Sequence, residues 1–214
     1  MTRYPAPPWP MEGWALFAPL LVRAADVRLP PGFSLESTGG FSIGLLGVVD
    51  YRAPSPLAYR ELLWMPGRVR AERRDGRPAR GYWVAKMLVD DAASLAGGRE
   101  LWALPKQMAR FSLGEREARI ESDDGARLTL SLGPRRGPAL PAKSAVVTLQ
   151  RGEGELVRFR GEGRARVALR SLRVASSEGL DDSWRSLATA RPLGPLGVEL
   201  RHFRASMRPA ERLR

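Results

Sequence analysis

The chain has 214 residues, no cysteine, one histidine and a formal charge of 35 − 23 = +12. That length can bury a substantial core. The absence of cysteine excludes disulfides and thiolate metal sites, and a lone His202 excludes a multi-histidine metal centre, so no metal and no cofactor are expected.

The opening PAPPWP is proline-rich and reads as extended. WALFAPLLV (14–22) has the length of a buried strand. The surrounding run GWALFAPLLV is shorter than the roughly 18 to 20 apolar residues of a membrane helix. It lacks a basic leader and a cleavage site, so no signal peptide, no membrane partner and a cytoplasmic location are expected. RAADVRLPPGF reads as a helical turn stopped by Pro30 and Pro31. FSIGLLGVVDY (41–51) is a strand whose glycines signal close packing or a bulge. After the loop APSP, AYRELLWM (58–65) is the next strand. Residues 68–90 read as a hairpin turning at Asp75-Gly76. DDAASLAGGREL (90–101) carries a helix signature, with Asp90 or Asp91 as cap and Gly97-Gly98 as the stop. MARFSL, ARIES and ARLTLSL are short strands, the last two split by a DDG turn.

SAVVTLQR, ELVRFRGEGRARVALRSLRVA and GVELRHFRA add three to five strands. In the second, Val157, Phe159, Val167 and Leu169 alternate with arginines, which predicts one buried face and one wet face. The expected class is α+β and mainly antiparallel β, a cone-like or barrel-like sheet with a few short helices. No repeat or low-complexity linker divides the chain, so a single domain over 1–214 is expected.

Arginine supplies 35 − 3 = 32 of the cationic residues, and lysine occurs only at Lys86, Lys106 and Lys143. The arginine cluster at 68–80 is interrupted by Glu72 and Asp75 and sits in the predicted hairpin, so it reads as a solvated turn. Neither zinc-finger spacing nor an aromatic RNA-binding motif accompanies it, and no nucleic-acid partner is expected.

Lys106 stands out in GRELWALPKQ (98–107), with Leu101, Trp102, Ala103, Leu104, Pro105 and Met108 around it. A lysine amine is a nucleophile near neutral pH only when burial or a neighbouring cation lowers its pKa. The neutral amine condenses with a ketone or aldehyde, and the resulting iminium is an electron sink for an adjacent carbanion. Arginine cannot be deprotonated for this purpose.

GRELWALPKQ, placed after YWVAKMLVDDAASLA, resembles the active-site segment of the acetoacetate decarboxylase family, whose pattern GREL…PKK carries the Schiff-base lysine first. FSIGLLGVVDY…AYRELLW resembles the family stretch ending in Tyr-x-Glu, here Tyr59-Arg60-Glu61. Residues 8–112 carry the likeness. It implies Lys106 as the imine-forming residue and Glu61 as the catalytic carboxylate. Tyr59 and Gln107 would bind substrate, a small-molecule keto acid or other carbonyl compound. Acetoacetate decarboxylase is itself the usual example of a lysine activated by desolvation or a neighbouring cation.

Three positions depart from the family pattern. Gln107 stands where the second lysine would be, so desolvation must lower the pKa alone, or Lys86 or an arginine must come close. No arginine stands near Gly13 and Trp14, and Ser42 falls where the family has a further glutamate. The resemblance implies a carbon–carbon lyase and a homo-oligomer. The alternatives are aldolase–dehydratase chemistry on the same lysine and a non-catalytic small-molecule binding protein of the same fold.

Overall fold

A computed structural model describes residues 3–213. In chain order the strands are β1 (Trp9–Arg23), β2 (Phe33–Leu35), β3 (Phe41–Arg52), β4 (Arg60–Met65), β5 (Gly67–Glu72), β6 (Pro78–Trp83) and β7 (Lys86–Val89). Helix α1 (Ala92–Trp102) follows, then β8 (Lys106–Leu113), β9 (Glu117–Ser122), β10 (Arg127–Gly152) and β11 (Glu155–Glu178). The short α2 (Arg185–Ala188), β12 (Arg191–Pro192), β13 (Gly197–Met207) and β14 (Glu211–Leu213) complete the described chain.

The pairings run β11-β13-β1-β3-β4-β7-β8-β9-β10, and β10 pairs back to β11. The sheet therefore closes into a ring, mostly antiparallel, without the even stagger of a regular barrel. The β7–β8 pair is parallel, because α1 carries the chain back to the start of the neighbouring strand.

Period-two alternation sorts the central strands into two buried faces. Leu16, Ala18 and Leu20 of β1, Leu62 and Trp64 of β4, and Leu88 of β7 face one core. Met11 and Ala15 of β1, Leu63 and Met65 of β4, and Met87 and Val89 of β7 face the other. β1, β3, β4 and β7 thus form a wall between two cores. This is why FSIGLLGVVDY and RELLWM read as continuous apolar runs rather than alternating ones. The β3 glycines mark close packing. A Cβ on Gly44 would lie 2.7 Å from the Trp64 ring, and one on Gly47 would lie 2.4 Å from the Phe17 ring.

The hairpin turns around Gly76, whose φ is 74°, but ends at Trp83, and Lys86–Val89 leaves it to pair with β4 and β8. Two other readings change. ARLTLSL and SAVVTLQR belong to one 26-residue strand, β10. Its Gly- and Pro-containing middle pairs only with β11, and Pro134 and Pro138 fall at register shifts where bulges absorb the irregularity. The turn to β11 uses Glu153 and Gly154, both with positive φ.

Along β11 the expected inward set holds only at the first end. Val157 and Phe159 are buried, but Leu169 is exposed. Past the middle of the strand the opposite face is covered instead, and Ala168, Arg170 and Leu172 turn inward. Arg170 is therefore not on a wet face. Its Nη1 donates to the fully buried Glu199 carboxylate at 3.0 Å. That carboxylate also accepts from Trp14 Nε1 at 2.8 Å and from Arg135 Nε at 2.8 Å.

Candidate active site

Lys106 opens β8, beside Met87 of β7, and its side chain enters the second core. Only 2% of Lys106 is exposed. Its Nζ lies 3.1 Å from Glu61 Oε2 and donates to Ser94 Oγ at 2.7 Å and to Tyr59 OH at 3.3 Å. The Tyr59 hydroxyl donates to Glu61 Oε2 at 3.3 Å, and Tyr51 donates to Glu61 Oε1 at 3.4 Å. Two residues apart on an extended backbone, Tyr59 and Glu61 share a face. Tyr51 sits opposite Tyr59 across paired backbone hydrogen bonds of 2.9 and 3.1 Å, with the rings 4.6 Å apart.

Burial pushes the Lys106 amine below its ordinary value, and Glu61 and, more weakly, Asp91 act in the opposite direction. Both tyrosines are pushed well above theirs, first by burial and then by the Glu61 charge, so both remain protonated donors.

Helix α1 supplies the rest of the cluster. Asp91 caps it, accepting from Ser94 N at 2.6 Å. The Gly97-Gly98 pair does not stop the helix, which continues to Trp102 and ends at Ala103 in the left-handed region, φ 52°. Tertiary packing explains the glycines. A Cβ on Gly97 would meet the Trp9 ring at 2.8 Å. One on Gly98 would lie 2.5 Å from Lys106 Cδ and 2.6 Å from Cε. Arg99 serves the backbone, as its Nε and Nη2 donate to the Lys106 carbonyl at 2.8 and 2.6 Å.

A Gly98→Ala substitution should displace the Lys106 stem from Glu61 and Ser94. Reaction at Lys106 should fall about a hundredfold, the scale of an ångström-sized misplacement. Helicity by circular dichroism should be retained, since alanine favours a helix interior. An unchanged reaction rate would contradict this packing account.

The structure brings Lys106, Glu61 and Tyr59 together but does not bring Gln107 to them. Adjacent strand residues point to opposite faces. Gln107 Nε2 instead donates to Asp124 Oδ2 at 3.3 Å, and Gln107 does not line the cavity above Lys106. Lys86 is not the replacement cation either. It is buried on the other face of the wall, with Nζ 5.1 Å from the Trp184 ring centre. Ser42 donates to the Pro66 carbonyl at 2.7 Å and does not reach the cavity.

Sequence reasoning missed Ser94 and Tyr51. The available signals were the small-residue stripe Ser94-x-x-Gly97-Gly98 on one helix face and the odd-numbered phase that Tyr51 shares with Val49.

Over this cluster lies a cavity of about 380 Å³ lined by Trp9, Leu63, Met87, Trp102, Phe159 and other mainly apolar side chains. Among the described residues, Lys106 is its one lining cation and Glu61 its one lining carboxylate. No group of three or more His, Asp or Glu side chains placed to hold a metal occurs among the described residues. No helix among them is long and apolar enough to cross a membrane.

The sequence model of the acetoacetate decarboxylase family matches residues 2–189. The Arabidopsis thaliana protein NEOXANTHIN-DEFICIENT 1 is 32% identical over 111 residues, which is 51% of this chain and 38% of that protein. The tomato (Solanum lycopersicum) protein of that name is 31% identical over 111 residues, 36% of its own length. The chain thus aligns with well under half of these curated relatives. Among solved structures, the enduracididine biosynthesis enzyme MppR complexed with pyruvate superposes with a TM-score of 0.61 at 17% identity, covering 100% of this chain and 92% of that one. The acetoacetate decarboxylase of Legionella pneumophila superposes with a TM-score of 0.54 at 14% identity, covering 100% and 90%. At these identities the likeness is one of fold.

Proposed function

The chain belongs to the acetoacetate decarboxylase family, and from that premise we propose that it is an enzyme that forms a Schiff base between Lys106 and a carbonyl substrate. One observation carries the reading. A buried amine, made less basic by burial, faces a cavity and touches a carboxylate and a tyrosine hydroxyl.

The Lys106 nitrogen lone pair attacks the carbonyl carbon and gives a carbinolamine. The carbinolamine oxygen takes up a proton and leaves as water, and the nitrogen retains one hydrogen as the iminium. Glu61, 3.1 Å from that nitrogen, is the group placed to receive the amine proton and return it to the departing oxygen. The iminium then accepts the electron pair of a bond broken at the neighbouring carbon, giving an enamine. The reaction type is carbon–carbon lyase chemistry, by decarboxylation or by aldol cleavage and its reverse. Tyr59 stays protonated and can donate to Glu61 or to a substrate oxygen.

The test is trapping. The protein is incubated with acetoacetate, pyruvate, simple ketones and aldehydes, reduced with borohydride, weighed and mapped. The expected adduct is a secondary amine on Lys106, absent from Lys86 and Lys143. If no carbonyl in the panel gives an adduct on Lys106, the Schiff-base reading fails.

A further inference from the structure

The lysine cavity is chemically one-sided. The chain carries 32 arginines, yet among the described residues none lines this cavity. A keto acid bound there would bury the carboxylate beside its carbonyl with hydroxyls for partners and no cation but the Lys106 nitrogen, which the imine itself consumes. An unpaired buried charge is strongly disfavoured. The one other charged group on the wall is the Glu61 carboxylate, which would repel a second anion across a poorly solvated space.

Shape adds to chemistry. The cavity does not end above Lys106. Through Tyr51, Val146, Gly161 and Met207 it continues into an outer groove of about 180 Å³, bordered by Glu162, Arg164 and Arg204. At about 30 Å³ per water-sized group, the inner 380 Å³ holds roughly a dozen heavy atoms and the groove about six more.

We infer that the substrate class is an apolar carbonyl compound, a methyl ketone or aldehyde carrying a hydrocarbon chain or ring system and no carboxylate beside its carbonyl. Its carbonyl sits at Lys106 and its tail runs past Val146 toward the outer groove. This rests on the Schiff-base reading and narrows it. Decarboxylation then has no substrate carboxylate to remove. The iminium instead loses a proton from its α-carbon to a base, of which Glu61 is the nearest to the nitrogen, and the C–H electron pair becomes the enamine double bond. A second carbonyl compound, as the electrophile, would then form the new carbon–carbon bond.

The experiment is borohydride trapping with a homologous series of 2-alkanones from four to fourteen carbons, alongside pyruvate and acetoacetate. Adducts are quantified at Lys106, with Lys86 and Lys143 as internal controls. The half-saturating concentration should fall about three- to fourfold per added methylene, the transfer value of a buried CH₂. The fall should level off once inner cavity and groove are filled, at roughly a dozen or more carbons. Pyruvate should be trapped more weakly than the ketones that fill the cavity. Pyruvate or acetoacetate trapped at lower concentration than the long ketones, or no dependence on chain length, overturns the substrate inference while the imine survives. Absence of any adduct overturns the imine reading beneath it.

Discussion

Lys106→Arg should abolish adduct formation with every carbonyl compound and lower turnover on the order of a million-fold, the scale of losing a covalent nucleophile. The guanidinium keeps the positive charge beside Glu61 but has no lone pair to offer at working pH. Arginine is a better choice than alanine. Lys106→Ala would leave the Glu61 carboxylate buried without its cation, and removing one partner of a buried pair costs about 3–5 kcal/mol. Mass spectrometry after reduction reads the chemistry, and thermal unfolding reads the fold. A Lys106→Arg protein that still gives a reduced adduct elsewhere in the cavity, or that keeps turnover, would remove Lys106 from the mechanism.

Glu61→Gln should have two separable effects. Loss of a positioned proton carrier should lower the rate about 10² to 10⁴-fold. The pH dependence should also move in a definite direction. Burial lowers the Lys106 pKa from 10.5, and Glu61 is the largest influence holding it up. Without the carboxylate, the amine deprotonates at lower pH, so the rising limb of trapping against pH should shift to lower pH. Stability follows the same sign. Between the folded Lys106 pKa and 10.5, the unfolded chain binds more protons, so folding stability rises with pH across that window. In Glu61→Gln the window should extend further toward acid. A limb that stays fixed or moves up would show that Glu61 does not act on Lys106 through its charge. The two readouts are independent, because a residue that merely packs would change the rate without moving the midpoint.

Activation of Lys106 rests on burial. The second lysine of the family pattern is replaced by Gln107, which points to the opposite face of β8, and Lys86 stands on the far side of the wall. The groups touching the nitrogen are a carboxylate, a phenol and a serine, and of these Glu61 raises its basicity. Desolvation lowers the pKa against that opposition, so the apolar lining of Trp9, Trp102 and Phe159 would serve the proposed chemistry as well as the core.

Much was legible in one dimension, because the interactions responsible are local. Period-two spacing put Tyr59 and Glu61 on one face. The Asp75-Gly76 turn set the β5–β6 hairpin, and the acidic cap at 90–91 located α1. The need for a deprotonatable cation singled out Lys106 among arginines. The same local rules misread places where distant contacts take over. Gly97-Gly98 looks like a helix stop until Trp9 and the Lys106 stem are known to press against that helix face. Leu169 looks inward until β11 is followed from one core to the other, and Arg170 looks wet until Glu199 is placed beneath it.

By itself the sequence determined the α+β, mostly antiparallel class and singled out Lys106 and Glu61 as the candidate pair. Strand periodicity and the acid–base properties of single side chains reside in neighbouring residues. Only the tertiary structure decided that Ser94 joins Lys106 and Tyr51 joins Glu61, that Gln107 does not, and that no arginine among the described residues lines the inner cavity. Those outcomes depend on which face of each strand is covered when β10 and β11 close the ring, and that closure joins residues far apart in the chain.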